Sequence, residues 1–162
     1  MKKVLYLHGL ESGQGGPKVD YLADNCCVHA PEMDYTRKDI FPYLVQIMED
    51  FDPDLIIGSS MGGYVAYMLS GLYGTPIIVF NPALHSRKFD PKFPIKAQNC
   101  YPSRAKIVLG EEDTIIDPKK TLKFIADQIS MGFPTQFSIE NVDGMGHRVP
   151  LDIFINKIQN EL

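Results

Sequence analysis

The chain has 162 residues, 44% apolar, 22% charged and 10% aromatic, enough for one core that removes roughly 70% of the unfolded surface from water. That composition excludes a disordered tail and a collagen-like rod. Sixteen Lys and Arg against twenty Asp and Glu give a net charge of −4, so no global positive field exists to attract nucleic acid or anionic lipid. Three cysteines, two of them adjacent (Cys26, Cys27), cannot form a disulfide framework and fit a reducing cytoplasm. After Met1-Lys2-Lys3 the apolar run stops at His8, too short for a signal peptide, and nowhere do about 18 apolar residues run together as a membrane span requires. A soluble single domain covering 1–162 is expected.

In chain order, the pattern predicts a strand at 4–7, a helix at 17–24, a strand at 26–29, a helix at 38–50, a strand at 55–59 and a helix at 61–73. A strand at 76–80 follows, then an irregular, lid-like stretch at 81–104 containing Pro82, Pro91, Pro94 and Pro102. The remainder reads as a strand at 106–109, a helix at 118–130, a strand at 135–139 and a helix at 150–160. Short, continuously apolar strands alternating with helices indicate an α/β fold whose parallel sheet is buried on both faces. The expected sheet has six strands, mainly parallel, in the order 2-1-3-4-5-6, with helices on both sides. Pro17, Pro118 and Pro150 read as first helical residues, where the missing amide hydrogen costs nothing. Ile153, Phe154, Lys157 and Ile158 give the last helix an apolar face to lay on the sheet. Cys26 and Cys27 read as small core residues rather than metal ligands, since no second ligand pair accompanies them.

Gly58-Ser59-Ser60-Met61-Gly62 sets Gly-x-Ser-x-Gly between a buried strand and a helix. A sharp turn there would hold the Ser60 hydroxyl above the sheet, with Gly58 and Gly62 removing side chains that would collide across it. A serine hydroxyl is a weak nucleophile and requires a base and an acid that orients the base. Of four histidines, only His147 lies in a glycine-rich loop between the last strand and the last helix. Four carboxylates follow the fifth strand in 111–117. Asp113 is the expected acid, because Asp117 precedes Pro118 and is placed to cap a helix; Asp117 stays the runner-up, with Glu112 and Asp143 behind it. Each of Ser60, Asp113 and His147 falls beyond the carboxyl end of a different strand, the rim where open parallel sheets bind ligands. Hydrolysis through this set is expected to fall in acid, where an imidazole base is lost. The backbone amides of Met61 and Leu10 are the expected oxyanion donors. Gly9 would let the first loop approach the substrate, with His8 holding that loop. Gly9 to Lys18 is no phosphate loop, since Pro17 stands where glycine is needed before the lysine.

His8-Gly9, the Gly58 to Gly63 turn, Asn81-Pro82-Ala83, the 110–117 segment and Gly146-His147 together resemble the small bacterial YqiA-type esterases of the α/β-hydrolase superfamily, over nearly the whole chain. The resemblance implies a minimal α/β-hydrolase fold without a full cap. It further implies Ser60 as nucleophile, Asp113 as acid and His147 as base, acting on carboxylic esters or acyl thioesters. No cofactor or metal is called for. The partner is a small-molecule ester or thioester, not nucleic acid, and the oligomeric state is not legible. A serine acyltransferase, or a silent relative that binds another protein, would carry the same residues. Arg87, Lys88, Lys92, Lys96, Arg104 and Lys106 against Asp90 alone make the 81–106 region basic. If that loop overhangs the site it would attract a polyanionic leaving group such as a coenzyme A thiol; solvated charges are the plainer reading.

Overall fold

The computed structural model describes residues 1–94, 101–132 and 136–162. Six strands, β1 (Lys3–Leu7), β2 (Cys27–His29), β3 (Leu55–Ser59), β4 (Ile77–Phe80), β5 (Arg104–Gly110) and β6 (Gln136–Val142), form one sheet in the order β2-β1-β3-β4-β5-β6. Every neighbouring pair is parallel. The predicted order therefore stands, and β5 and β6 are longer than expected. Thr135, the predicted start of the last strand, and residues 95–100 of the irregular stretch lie outside the described residues.

The helices are α1 (Pro17–Asn25), α2 (Ile40–Phe51), α3 (Met61–Tyr73), α4 (Pro118–Ser130) and α5 (Leu151–Ile158), the last running into a 3-10 turn at Gln159–Glu161. Side-chain alternation along the strands separates two apolar layers. Leu5, Leu7, Ile56, Ile77 and Val79 face α2, α3 and α4, whereas Val4, Tyr6, Ile57, Ile78 and Phe80 face α1 and α5. Phe154 and Ile158 of α5 are buried there, with the Phe154 ring 5.3 Å from Phe80, so the apolar face read from the sequence lies on the sheet. Residues 61 to 70 of α3 are buried without interruption, covered by the sheet on one side and by the chain after β4 on the other. Residues 81–94 form neither helix nor strand, and Phe93 anchors them on Tyr64 and Phe41. No helix among the described residues is long and apolar enough to cross a membrane.

Two local expectations are corrected. Pro150 is the N-cap of α5, with extended ψ of 151°, rather than its first helical residue, while Pro17 and Pro118 do open their helices. Cys26 is buried at the end of α1, its thiol donating to the Leu22 carbonyl at 3.1 Å, but Cys27 is exposed. The physical reason is position: β2 is the sheet's edge strand, and none of its three residues is buried.

Candidate active site

Ser60 turns the chain between β3 and α3 with φ 53° and ψ −115°. A non-glycine residue held there stores about 1–3 kcal/mol and persists only where its surroundings fix it. Its amide donates to the Phe80 carbonyl at 3.0 Å, and its carbonyl accepts from Tyr64 N at 3.1 Å and Ala83 N at 3.0 Å. A Cβ on Gly58 would overlap the Gly62 carbonyl oxygen, and one on Gly62 would overlap the Leu7 carbonyl oxygen. Only glycine lets α3 start this close to β1 and β3. The Ser60 hydroxyl makes no capping bond to α3 and lies 3.1 Å from His147 Nε2.

His147 reaches this position from the turn after β6, where Asp143-Gly144 reverses the chain with Gly144 at φ 71°. Its Nδ1–H donates to Asp113 Oδ2 at 2.8 Å, which frees Nε2 to accept the Ser60 proton. The Asp113 side chain is fully buried, while that of His147 keeps 28% of its exposure. Asp113 Oδ1 accepts from Ile115 N at 2.8 Å and Ile116 N at 2.9 Å, so both carboxylate oxygens are engaged and the acid cannot swing away. Asp117 instead caps α4, accepting from Lys119 N at 2.9 Å. Glu112 and Asp143 are exposed. The other three histidines are occupied elsewhere: His29 packs on Phe51, His85 bonds Thr121, and His8 is buried.

His8 fixes the first loop. Its Nδ1–H donates to the Gly9 carbonyl at 2.7 Å, its Nε2 accepts from Met33 N at 3.0 Å, and its carbonyl accepts the Tyr35 hydroxyl. The loop so held passes beside Ser60: a Cβ on Gly9 would lie 3.3 Å from that of Ser60. Gly9, Leu10, Ser60, Ile115 and His147 line a cleft of about 190 Å³. Met61 is the first residue of α3, and a helix start leaves its first amides without intrahelical acceptors. Leu10 lines this cleft and Met61 directly follows Ser60 in the chain.

One residue that the sequence marked only within the Asn81-Pro82-Ala83 stretch of the family resemblance has a larger part. Asn81, 1% exposed and at φ 44°, accepts from Gly110 N at 2.8 Å through Oδ1. Its Nδ2 donates to the carbonyls of Gly146 at 3.0 Å and His147 at 3.1 Å. A single amide thereby ties the end of β5, ahead of Asp113, to the backbone of Gly146 and His147. Asparagine tolerates the left-handed region better than most residues, which was the available signal.

The basic stretch after β4 points elsewhere. Arg87 stacks on Tyr64 and pairs with Asp90 at 3.1 Å, while Lys92 borders a separate cavity of about 320 Å³. Arg104 and Lys106 sit in the first half of β5, away from the rim, and pair with Glu161 and Glu140. Lys96 lies outside the described residues. Among the described residues none of these cations lines the cleft at Ser60.

A parallel sheet in this order, with the Ser60 turn after β3, an acid after β5 and a histidine after β6, defines the α/β-hydrolase fold. The solved structures agree on that fold. A candidate hydrolase of the alpha/beta superfamily from Xanthomonas campestris pv. campestris is 18% identical, covers 98% of both chains and superposes with a TM-score of 0.68. A monoacylglycerol lipase from Paleococcus ferrophilus is 13% identical over 98% of this chain and 93% of its own, with a TM-score of 0.75. The fluorophosphonate-binding serine hydrolase F of Staphylococcus aureus is 16% identical over 99% and 82%, with a TM-score of 0.63. Within that fold the chain belongs to the Uncharacterised protein family UPF0227, which it matches over residues 3–130.

Proposed function

We propose that this chain is a serine hydrolase that cleaves carboxylic esters or acyl thioesters through an acyl-enzyme. The observation that carries the reading is the unbroken hydrogen-bond path from Ser60 Oγ through His147 to the buried Asp113 carboxylate. Along it, His147 Nε2 takes the Ser60 proton as Oγ attacks the acyl carbon. Asp113 holds the imidazole in the required tautomer and offsets the charge that forms on it. The amides of Leu10 and Met61 receive the oxyanion, for which a single donor is worth about 3 kcal/mol of barrier. His147 then returns its proton to the leaving alcohol or thiol. Water, activated by the same imidazole, splits the acyl-enzyme. The α/β-hydrolase fold and a similar fold in a lipase and a fluorophosphonate-binding hydrolase support the same class.

Turnover of para-nitrophenyl butyrate and of a short acyl thioester tests the proposal, with Ser60→Ala as control. Hydrolysis of at least one, reduced at least about a thousandfold in Ser60→Ala, is expected. No turnover of either by folded protein, or turnover unchanged in Ser60→Ala, overturns it. If product forms mainly on an added alcohol or amine, the acyl-enzyme stands and the acceptor is not water.

A further inference from the structure

Lys18, in the first turn of α1, and Arg148, next to His147, are 130 positions apart in sequence yet line the same cleft as Ser60. They meet because α1 and α5 pack side by side on one face of the sheet. The Lys18 ammonium lies 5.5 Å above the Phe154 ring, and burial, then the Arg148 charge, holds it below the usual lysine value. Neither cation belongs to an ion pair among the described residues, whereas Arg37, Arg87, Arg104, Lys106, Lys123 and Lys157 each have an acidic partner. Glu11 also lines the cleft but is exposed and pairs with neither.

Two like charges that line a partly enclosed cleft outnumber its one carboxylate, Glu11, and so raise the local potential and lower the cost of bringing an anion in. We infer that this cleft selects substrates bearing an anionic group, a carboxylate or a phosphate, which Lys18 and Arg148 hold beside the acyl centre. The inference rests on the hydrolase reading of Ser60 and names its substrate class. Each charge-assisted contact should change kcat/KM by about tenfold to a hundredfold.

The test compares neutral para-nitrophenyl butyrate with para-nitrophenyl hemiglutarate, which carries its carboxylate on the acyl side. A third ester, the butyrate of a phosphate-bearing phenol, carries the anion on the leaving side. At least one anionic ester should be preferred over its neutral counterpart by tenfold or more. That preference should shrink about tenfold in Lys18→Gln and in Arg148→Gln, and should weaken with added salt. Equal or poorer use of both anionic esters while the neutral one is turned over overturns the inference and leaves the hydrolase reading intact. So does a preference that both variants keep. If no ester is turned over, calorimetric titration with the corresponding amides decides the matter: tighter binding of an anionic amide, lost in Lys18→Gln, supports the anion site. Equal binding of neutral and anionic amides rejects it.

Discussion

At the scale of residues, the arrangement around His147 depends on who holds the holders. Asp113 is fixed by two amides of its own turn, but the backbone of His147 is fixed by Asn81, which also bonds Gly110. Asn81→Asp keeps the shape and the acceptor while removing the donor, so a carboxylate would face two carbonyl oxygens. It should cost about 2–3 kcal/mol of stability. If Asn81 positions the base, kcat falls about tenfold to a hundredfold while KM changes less than about threefold. A lower Tm with kcat intact would reduce Asn81 to a purely structural part. The capping task of Asp117 was legible from its place before Pro118, and it performs that task through the Lys119 amide. The Ile115 and Ile116 amides on Asp113 were not legible, nor were the contacts of Asn81, whose partners lie 29 to 66 residues away.

At the scale of elements, two junctions carry testable weight. The start of α3 fits against β1 only through Gly62, so Gly62→Ala should cost about 3 kcal/mol or more or prevent folding. Gly15→Ala, where a Cβ meets nothing within 4 Å, should leave the Tm nearly unchanged. Thermal melts of the two variants side by side check the claim, and equal losses would refute it. On the other side of the sheet, Glu140 of β6 joins Lys157 of α5 at 2.7 Å and Lys106 of β5 at 3.0 Å. The hydrogen bond from Lys157 comes first, ahead of that from Lys106, in holding the Glu140 carboxyl below the ordinary value of 4.5. A carboxylate with a depressed folded pKa adds stability that is fully present above the unfolded value and lost as pH falls through the folded one. Glu140→Gln should therefore destabilise at neutral pH, by at most about 1 kcal/mol because all three side chains reach solvent. The gap from the unmodified protein should close in acid. A gap that stays constant from neutral to acid pH in denaturant titrations would contradict the pairing.

At the scale of the whole molecule, the alternation of apolar runs and helices was enough to give six strands in a parallel sheet, because parallel neighbours need crossover connections, whereas alternation alone leaves the strand order open between several doubly wound arrangements. What the sequence could not carry was exposure at the edges and encounters between distant segments. Cys27 is apolar enough for a core, yet β2 has no neighbour beyond it. The basic residues of 81–106 would serve the site only if that stretch overhung it, but Arg104 and Lys106 precede the rim and pair with Glu161 and Glu140. The cations that line the cleft come instead from α1 and the His147 turn, a juxtaposition that only folding creates.

Covalent labelling with a fluorophosphonate followed by peptide mass spectrometry reads directly whether Ser60 is an activated nucleophile. The expected result is one modification per chain, on Ser60, abolished in Ser60→Ala and slowed at least about a hundredfold in His147→Ala. Labelling at another residue, or a folded chain that stays unmodified, would contradict it.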